Sequence, residues 1–263
     1  MENDELLKNY RSVHNNKKMR SLVAKHNAHC RGKKRDEMIV CPLFLYANDE
    51  YLKADLKIMV FGQETYGWEC RKSKDEKDAS DYSKCTDVKD IIANYKWVFS
   101  NKDSEYATNG KSCRGVFFQE MRLLTSKVKR LDENKKVAAI WNNVNKLGQD
   151  SAGTGQDIYS TITKVYFNKL VEKEIEILKP SVCIFLSGPN YDDIIADVLP
   201  DTEWIEQQGL DKRQFALLKL NKFPGILALR TYHPRYLYQS KDRNLRPKIE
   251  RKIISCIKKK FYN

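Results

Sequence analysis

The chain has 263 residues, 41% hydrophobic and 32% charged, with 11 Gly and 7 Pro. This composition fits an ordinary globular domain and excludes a collagen-like, low-complexity or fully disordered chain. Lys and Arg number 48 against 35 Asp and Glu, leaving a formal charge of +13 that points to a polyanionic partner such as nucleic acid.

The charge is uneven. Residues 1–36 carry ten Lys/Arg against four acids and residues 241–260 nine against two, while 69–112 hold nine of each. Two basic ends around a neutral middle suggest a polyanion-binding face. The opening MENDELL is acidic with no apolar stretch, so no secretion signal is expected. No apolar run approaches the roughly 18 residues of a membrane span. Seven Cys at 30, 41, 70, 85, 113, 183 and 256 contain no C-x-x-C pair, which argues against a disulfide scaffold, a zinc ribbon or an iron–sulfur cluster. A reducing, cytoplasmic setting is expected.

In chain order, residues 1–50 read as a basic helical N-terminal extension with a short strand at Met38–Val40. Leu56–Phe61 (LKIMVF) is the first of four short apolar runs suited to buried strands; the others are Val137–Trp141, Ser181–Leu186 and Ile226–Arg230. Residues 69–112 form a charged insertion holding Tyr82, Tyr95, Trp97 and Tyr106, long for a plain strand-to-helix connection. Helical spacing follows at Val116–Leu131 and at Ile158–Leu178, where Pro180 stops the helix, and again at Tyr191–Val198. Gln214–Leu220 and Ile226–Arg230 resemble a hairpin, and Pro247 opens a basic C-terminal helix within 245–263, with Ile249, Ile253, Ile254, Ile257 and Phe261 facing inward. Strand–helix alternation predicts a single α/β domain over 1–263, a three-layer sandwich with a central four-stranded, mostly parallel sheet.

In such sheets ligands bind beyond the carboxyl ends of the strands. Each expected strand there runs into a polar or Gly/Pro cluster: Gly62-Gln63-Glu64-Thr65-Tyr66, then Asn142-Asn143, then Ser187-Gly188-Pro189-Asn190, then His233-Pro234-Arg235-Tyr236-Leu237. One carboxylate, one histidine and several carboxamides would converge at one edge.

This ordered set, across roughly residues 55–240, resembles the uracil-DNA glycosylase superfamily, with its G-Q-D-P-Y-type loop after the first core strand, an Asn after the second and an H-P-S-type loop after the last. The resemblance implies a monofunctional, metal-independent enzyme that hydrolyses the N-glycosidic bond of a flipped base and leaves an abasic site. Cleavage builds positive charge on the sugar and negative charge on the departing base, so a carboxylate and a hydrogen-bond donor suit it. By resemblance Glu64 takes the carboxylate role and His233 the donor role. Gln63, Tyr66, Phe117, Phe118 and Asn142 contact the base, Asn142 reading its edge and Tyr66 walling the pocket. Leu237 fills the gap left by the flipped nucleotide, beside Tyr236. Arg235 reaches a phosphate, and Gly188, Pro189 and Asn190 bind another at the start of a helix.

The chain departs from the superfamily in its Glu-Thr pair and in the long 69–112 insertion. Both turn the expected substrate from uracil in base excision repair to a bulky modified cytosine, such as glucosylated hydroxymethylcytosine in phage DNA, which would make this an anti-phage defence enzyme. An unmoved Tyr66 argues for uracil instead. A non-catalytic DNA-binding protein on the same scaffold is the third expectation. No cofactor, no metal and no membrane are expected, and the protein is expected to act as a monomer on DNA. Two weaker signals are the Gly110-Lys111-Ser112 triplet, with Glu105 where a phosphate loop needs Gly, and a zinc set from His26, His29, Cys30 and Cys41, whose spacing matches no familiar site.

Overall fold

The computed structural model describes residues 1–31, 35–65, 67–70, 80–100, 115–150, 155–207 and 209–262. The four apolar runs become β1 (Leu56–Gly62), β2 (Val137–Asn143), β3 (Val182–Phe185) and, after two further strands, β6 (Leu227–Thr231). β2, β1, β3 and β6 are successive neighbours, each pair parallel, with Ile58 of β1 level with both Val182 and Ala139. Such strands are covered on both faces, which is why their sequences are apolar throughout rather than alternating.

The sheet is six-stranded and mixed, which corrects the four-stranded expectation. The hairpin expected before β6 is β5 (Phe215–Leu220), antiparallel to it with Phe215 level with Thr231. Beyond it lies β4 (Thr202–Glu206), antiparallel to β5, giving the order β2-β1-β3-β6-β5-β4. β4 escaped the sequence reading because it is an edge strand with mostly exposed, polar residues (TEWIE) rather than an apolar run.

Helices flank the sheet, and the parity of β2 identifies two of them as opposite. Adjacent strand residues face opposite sides. Asn142 reaches α7 (Asn168–Leu178), where its Nδ2 donates to Glu174 Oε2 at 2.9 Å, whereas Asn143 lies over Gly62 beside Phe117 of α5 (Val116–Lys129). α7 follows a short α6 (Gln156–Ile158) and a π-helical stretch, Tyr159–Phe167, and ends as expected just before Pro180. α8 (Asp192–Val198) follows β3. α9 (Pro234–Gln239) follows β6, and α10 (Leu245–Phe261) begins two residues ahead of Pro247, which its first turn tolerates. Ile249, Ile253 and Ile257 of α10 are buried and Ile254 and Phe261 half-buried.

The two long helices of the first 50 residues pack against the core rather than extending from it. α1 (Glu2–His14) and α2 (Lys17–Cys30) bury Leu6, Tyr10, Met19 and Val23, and Asn16 caps α2 by accepting the Met19 N–H at 3.0 Å. Among the described residues Met38–Val40 makes only isolated bridges, Ile39 to Gln149 and Val40 to Asp81. A short α3 (Asp49–Leu52) precedes β1. Within 69–112 the chain forms a 3-10 turn at Tyr82–Lys84 and α4 (Val88–Ser100), whose Val88, Ile91, Tyr95 and Val98 are buried. Tyr106 and the Gly110–Ser112 triplet lie outside the described residues. Cys70 and Cys85 are joined by a disulfide, which the lack of a paired-cysteine motif did not foretell. Among the described residues no helix is long and apolar enough to cross a membrane.

A buried ion pair joins these layers. Lys146 Nζ lies 2.6 Å from Glu174 Oε2, each side chain 1% exposed. Glu174 Oε1 accepts the Tyr10 hydroxyl at 2.7 Å, Lys146 also reaches Asn142 Oδ1 and the Leu43 carbonyl, and the Tyr10 oxygen accepts the Leu45 N–H at 3.1 Å. Removing one partner strands a charge in the core, a loss of about 3–5 kcal/mol, whereas replacing both by apolar groups is far milder. Lys146→Met is therefore expected to lower the urea midpoint steeply, and Lys146→Met with Glu174→Leu to recover much of it; equal losses in the single and double variants would contradict this account.

Candidate functional site

Parallel pairing carries the four polar segments to one edge, and backbone bonds stitch them together. Val144 N–H donates to Gly62 O at 3.2 Å, Asn145 N–H to Gln63 O at 3.0 Å, Leu186 N–H to Phe61 O at 2.8 Å and Gly188 N–H to Thr231 O at 3.0 Å. The Glu64 loop is further pinned by Gly148: a Cβ there would sit 1.7 Å from the Thr65 carbonyl oxygen, so only glycine permits the approach.

Glu64 is 9% exposed, with the Tyr191 hydroxyl 2.8 and 2.7 Å from its two carboxylate oxygens. Tyr191 closes the 3-10 turn Pro189–Tyr191 after β3, so two strand ends share this contact. Gln63 spends its amide donor on the Ser187 carbonyl at 2.7 Å. Tyr66 lies outside the described residues.

His233 stands at the N-terminus of α9, where its Nδ1 accepts the Arg235 N–H at 3.2 Å. That bond leaves the ring proton of the neutral imidazole on Nε2, available as a donor. Burial, followed by the charge of Arg235, pushes the His233 pKa down to about 4, so the ring is neutral at ordinary pH. Phe117 stacks on it, with ring centroids 6.2 Å apart and planes 19° apart.

Asn142 does not reach this edge. Its side chain is wholly buried and its carboxamide is spent on Glu174, Lys146 and the Asn143 N–H. The carboxamide on the site's side is its neighbour Asn143, which crowds the space above Gly62 together with Phe117. Asn143 Oδ1 accepts the Trp141 indole N–H at 3.0 Å, which identifies Nδ2 as the amide's remaining donor. Among the described residues, that Nδ2, the Thr65 hydroxyl and the Ser187 hydroxyl are buried polar groups without a hydrogen-bond partner, a concentration of such groups at one sheet edge.

Other expected contacts also move. Phe118 packs edge-on against Trp141 at 5.0 Å and lines a cavity of about 560 Å³ along the outer side of β2, with Tyr46, Tyr51, Tyr95 and Phe99, away from His233. Leu237 is 5% exposed and part of the core, so it is no surface wedge; the exposed side chain beside it is Tyr236, at 52%, whose ring lies 4.3 Å from that of Tyr232. Gly188, at φ +83°, spends its N–H on Thr231, and Pro189 has none, so those two residues offer no backbone donors to a phosphate. Asn190 instead meets Arg213, whose Nη2 lies 3.4 Å from its Oδ1. Exposed Lys212, Arg213 and Arg235 thus rim this edge. The weak zinc signal does not assemble as a set: His26 Nε2 lies 2.9 Å from the Glu37 carbonyl and 3.4 Å from Cys30 Sγ, while Cys41 groups instead with Cys70 and Cys85.

No protein-family model matches this chain and no curated protein aligns with it significantly.

The close approach of Gly148 gives a direct check on this edge. Gly148→Ala is expected to lower the thermal midpoint through a clash that backbone must relieve, at a cost of about 1–3 kcal/mol. Gly225→Ala, with nothing within 4 Å of its added Cβ, should leave the midpoint unchanged.

Proposed function

We propose that the protein is a monofunctional DNA glycosylase that hydrolyses the N-glycosidic bond of a flipped pyrimidine and leaves an abasic site. The observation that carries this reading is the presence, at one sheet edge, of the Glu64 carboxylate and of a neutral His233 whose Nε2–H has no partner among the described residues. Glu64 stabilises positive charge growing on the sugar and orients water toward C1′. As the C1′–N bond breaks, its electron pair leaves with the base, and His233 Nε2–H hydrogen-bonds the oxygen where that charge gathers. Water bonds to C1′ and its proton passes to Glu64.

Phe117 offers a stacking face beside His233, and Asn143 Nδ2 is a donor for an acceptor on the base edge, as cytosine N3 or uracil O4 supplies. Tyr236 takes the wedge role in place of Leu237, with Arg213 and Arg235 on the flanking phosphates. Lys146 is committed to Glu174 on the opposite face of the sheet, which agrees with hydrolysis rather than Schiff-base chemistry. The substrate read from the Glu-Thr pair and the insertion is a modified cytosine such as glucosylated hydroxymethylcytosine in phage DNA. In keeping with that, α4 of the insertion brings Tyr95 and Phe99 against Trp141, itself in contact with Phe117.

The deciding assay is base release, scored as alkali-labile sites and as free base by mass spectrometry. Substrates are uracil oligonucleotides and phage DNA with hydroxymethylated or glucosylated cytosine. Release from phage DNA, with Glu64→Gln slower by about 10²-fold or more, is expected; release of uracil alone would replace the substrate, and binding unaffected by Glu64→Gln with no release from either would replace the reaction with DNA binding alone. His233 sets the pH profile. With its pKa near 4, a neutral donor is present throughout pH 5–8 and is lost only as pH falls toward 4. A rate that instead falls about tenfold per pH unit above 5 would mean that the imidazolium is the active form. Reversing charge at Arg213 and Arg235 should weaken DNA binding and flatten its salt dependence, by about one unit of slope per lost phosphate contact.

A further inference from the structure

Cys41, Cys70 and Cys85 place their three sulfurs within 4.8 Å of one another, and all three side chains are buried. They come from three separate stretches: before β1, after β1, and the end of the 3-10 turn at Tyr82–Lys84. Bonds that do not involve sulfur hold the surrounding backbone. The Cys41 N–H donates to the carbonyls of Trp68 and Ser80, each at 3.2 Å. Arg20 donates to the carbonyls of Tyr82, Ser83 and Cys85 at 2.6, 2.9 and 2.6 Å. The Cys70–Cys85 disulfide accounts for two of the sulfurs and gives Cys41 no task. Tetrahedral zinc with Zn–S bonds of about 2.3 Å needs thiolates about 3.8 Å apart, a spacing this cluster accommodates. Three thiolates and Zn²⁺ carry one net negative charge, and the Arg20 guanidinium, bonded to the Cys85 carbonyl, stands beside the cluster.

We propose that, when reduced, Cys41, Cys70 and Cys85 bind one Zn²⁺ as a structural site that anchors the loop carrying Glu64, with the fourth tetrahedral position taken by a further donor. A thiol reductant supplies two electrons and two protons to open the Cys70–Cys85 bond. Zinc then displaces three thiol protons as three Zn–S bonds form. Cys70 lies six residues beyond Glu64, so the metal staples the loop and takes no part in a reaction step. This inference is independent of the glycosylase reading.

The test is the metal content of the full chain, purified with a thiol reductant and supplied with Zn²⁺. About one zinc per chain is expected, released by a mercurial titrant as the cluster thiols react. Co²⁺ in its place should show thiolate-to-metal charge transfer and the intense visible bands of a tetrahedral ion. Cys41→Ser should weaken zinc binding by about tenfold or more, and Cys256→Ser should leave it unchanged. Folded, metal-free wild-type protein would overturn the proposal, whether it holds a Cys70–Cys85 disulfide or free thiols; so would a coloured iron–sulfur cluster. Should Cys41→Ser fail to fold, the wild-type metal count and the cobalt spectrum still decide.

Discussion

The Lys146–Glu174 pair is the constraint from which the site's placement follows. Both charges are taken out of water, and burial alone pulls the Lys146 pKa down while Glu174 pushes it back up. Such a pair survives only when its remaining donors and acceptors are also met. Here Tyr10, Asn142 and the Leu43 carbonyl meet them, so an N-terminal helix, the segment ahead of β1, the end of β2 and α7 must all be in place together. With Lys146 fixed, the turn from Asn143 to Gln149 is fixed, and Gly148 then presses on Thr65 next to Glu64. The carboxylate thus inherits its position from a salt bridge on the far face of the sheet.

This dependence shows what could be read in advance. The strands were legible because burial on both faces demands unbroken apolar runs, and LKIMVF or SVCIFL allow no other comfortable environment. Which Asn of Asn142-Asn143 faces the site was not legible, because the choice turns on the parity of β2, and a strand covered on both faces has no polar alternation to reveal it. The signal lay four residues on: a lysine too deep to face solvent needs a partner, and Asn142 belongs to its shell. Leu237 and Tyr236 were separable in principle, since one apolar and one amphipathic side chain on a short surface helix sort themselves inward and outward. Arg213 was hidden for another reason. Only the antiparallel register of β5 with β6, setting Phe215 level with Thr231, brings the residues before one strand beside those after the other.

Charge tells a similar story of place over quantity. The lysines at 258–260 form a dense run of positive charge, yet Lys135 Nζ bonds the Phe261 carbonyl just ahead of β2, at the amino edge of the sheet. Six steps along the seven-residue β2 separate Val137 at that edge from Asn143, roughly 20 Å at about 3.3 Å per residue. The C-terminal basic cluster therefore does not border the strand ends. The rim that does is small, made by Arg213, Arg235 and Lys212, and on the glycosylase reading its position, rather than the total of +13, is what suits it to phosphates.

On the glycosylase reading, the two central side chains divide the charge of the reaction because their surroundings differ. Glu64, one methylene longer than the aspartate usual at such a position, has the Tyr191 hydroxyl across both oxygens, which takes up the extra reach and limits the rotation that a longer side chain would otherwise enjoy. His233 is kept neutral by burial and by Arg235, and its own cap bond to the Arg235 N–H dictates which nitrogen carries the proton. A charged imidazole would compete with the positive sugar for Glu64 as its counter-ion and would repel that sugar. A neutral one donates to the departing base without doing either. The helix that places His233 therefore supplies its orientation and fixes which ring nitrogen carries the proton, while burial, helped by Arg235, keeps the ring neutral.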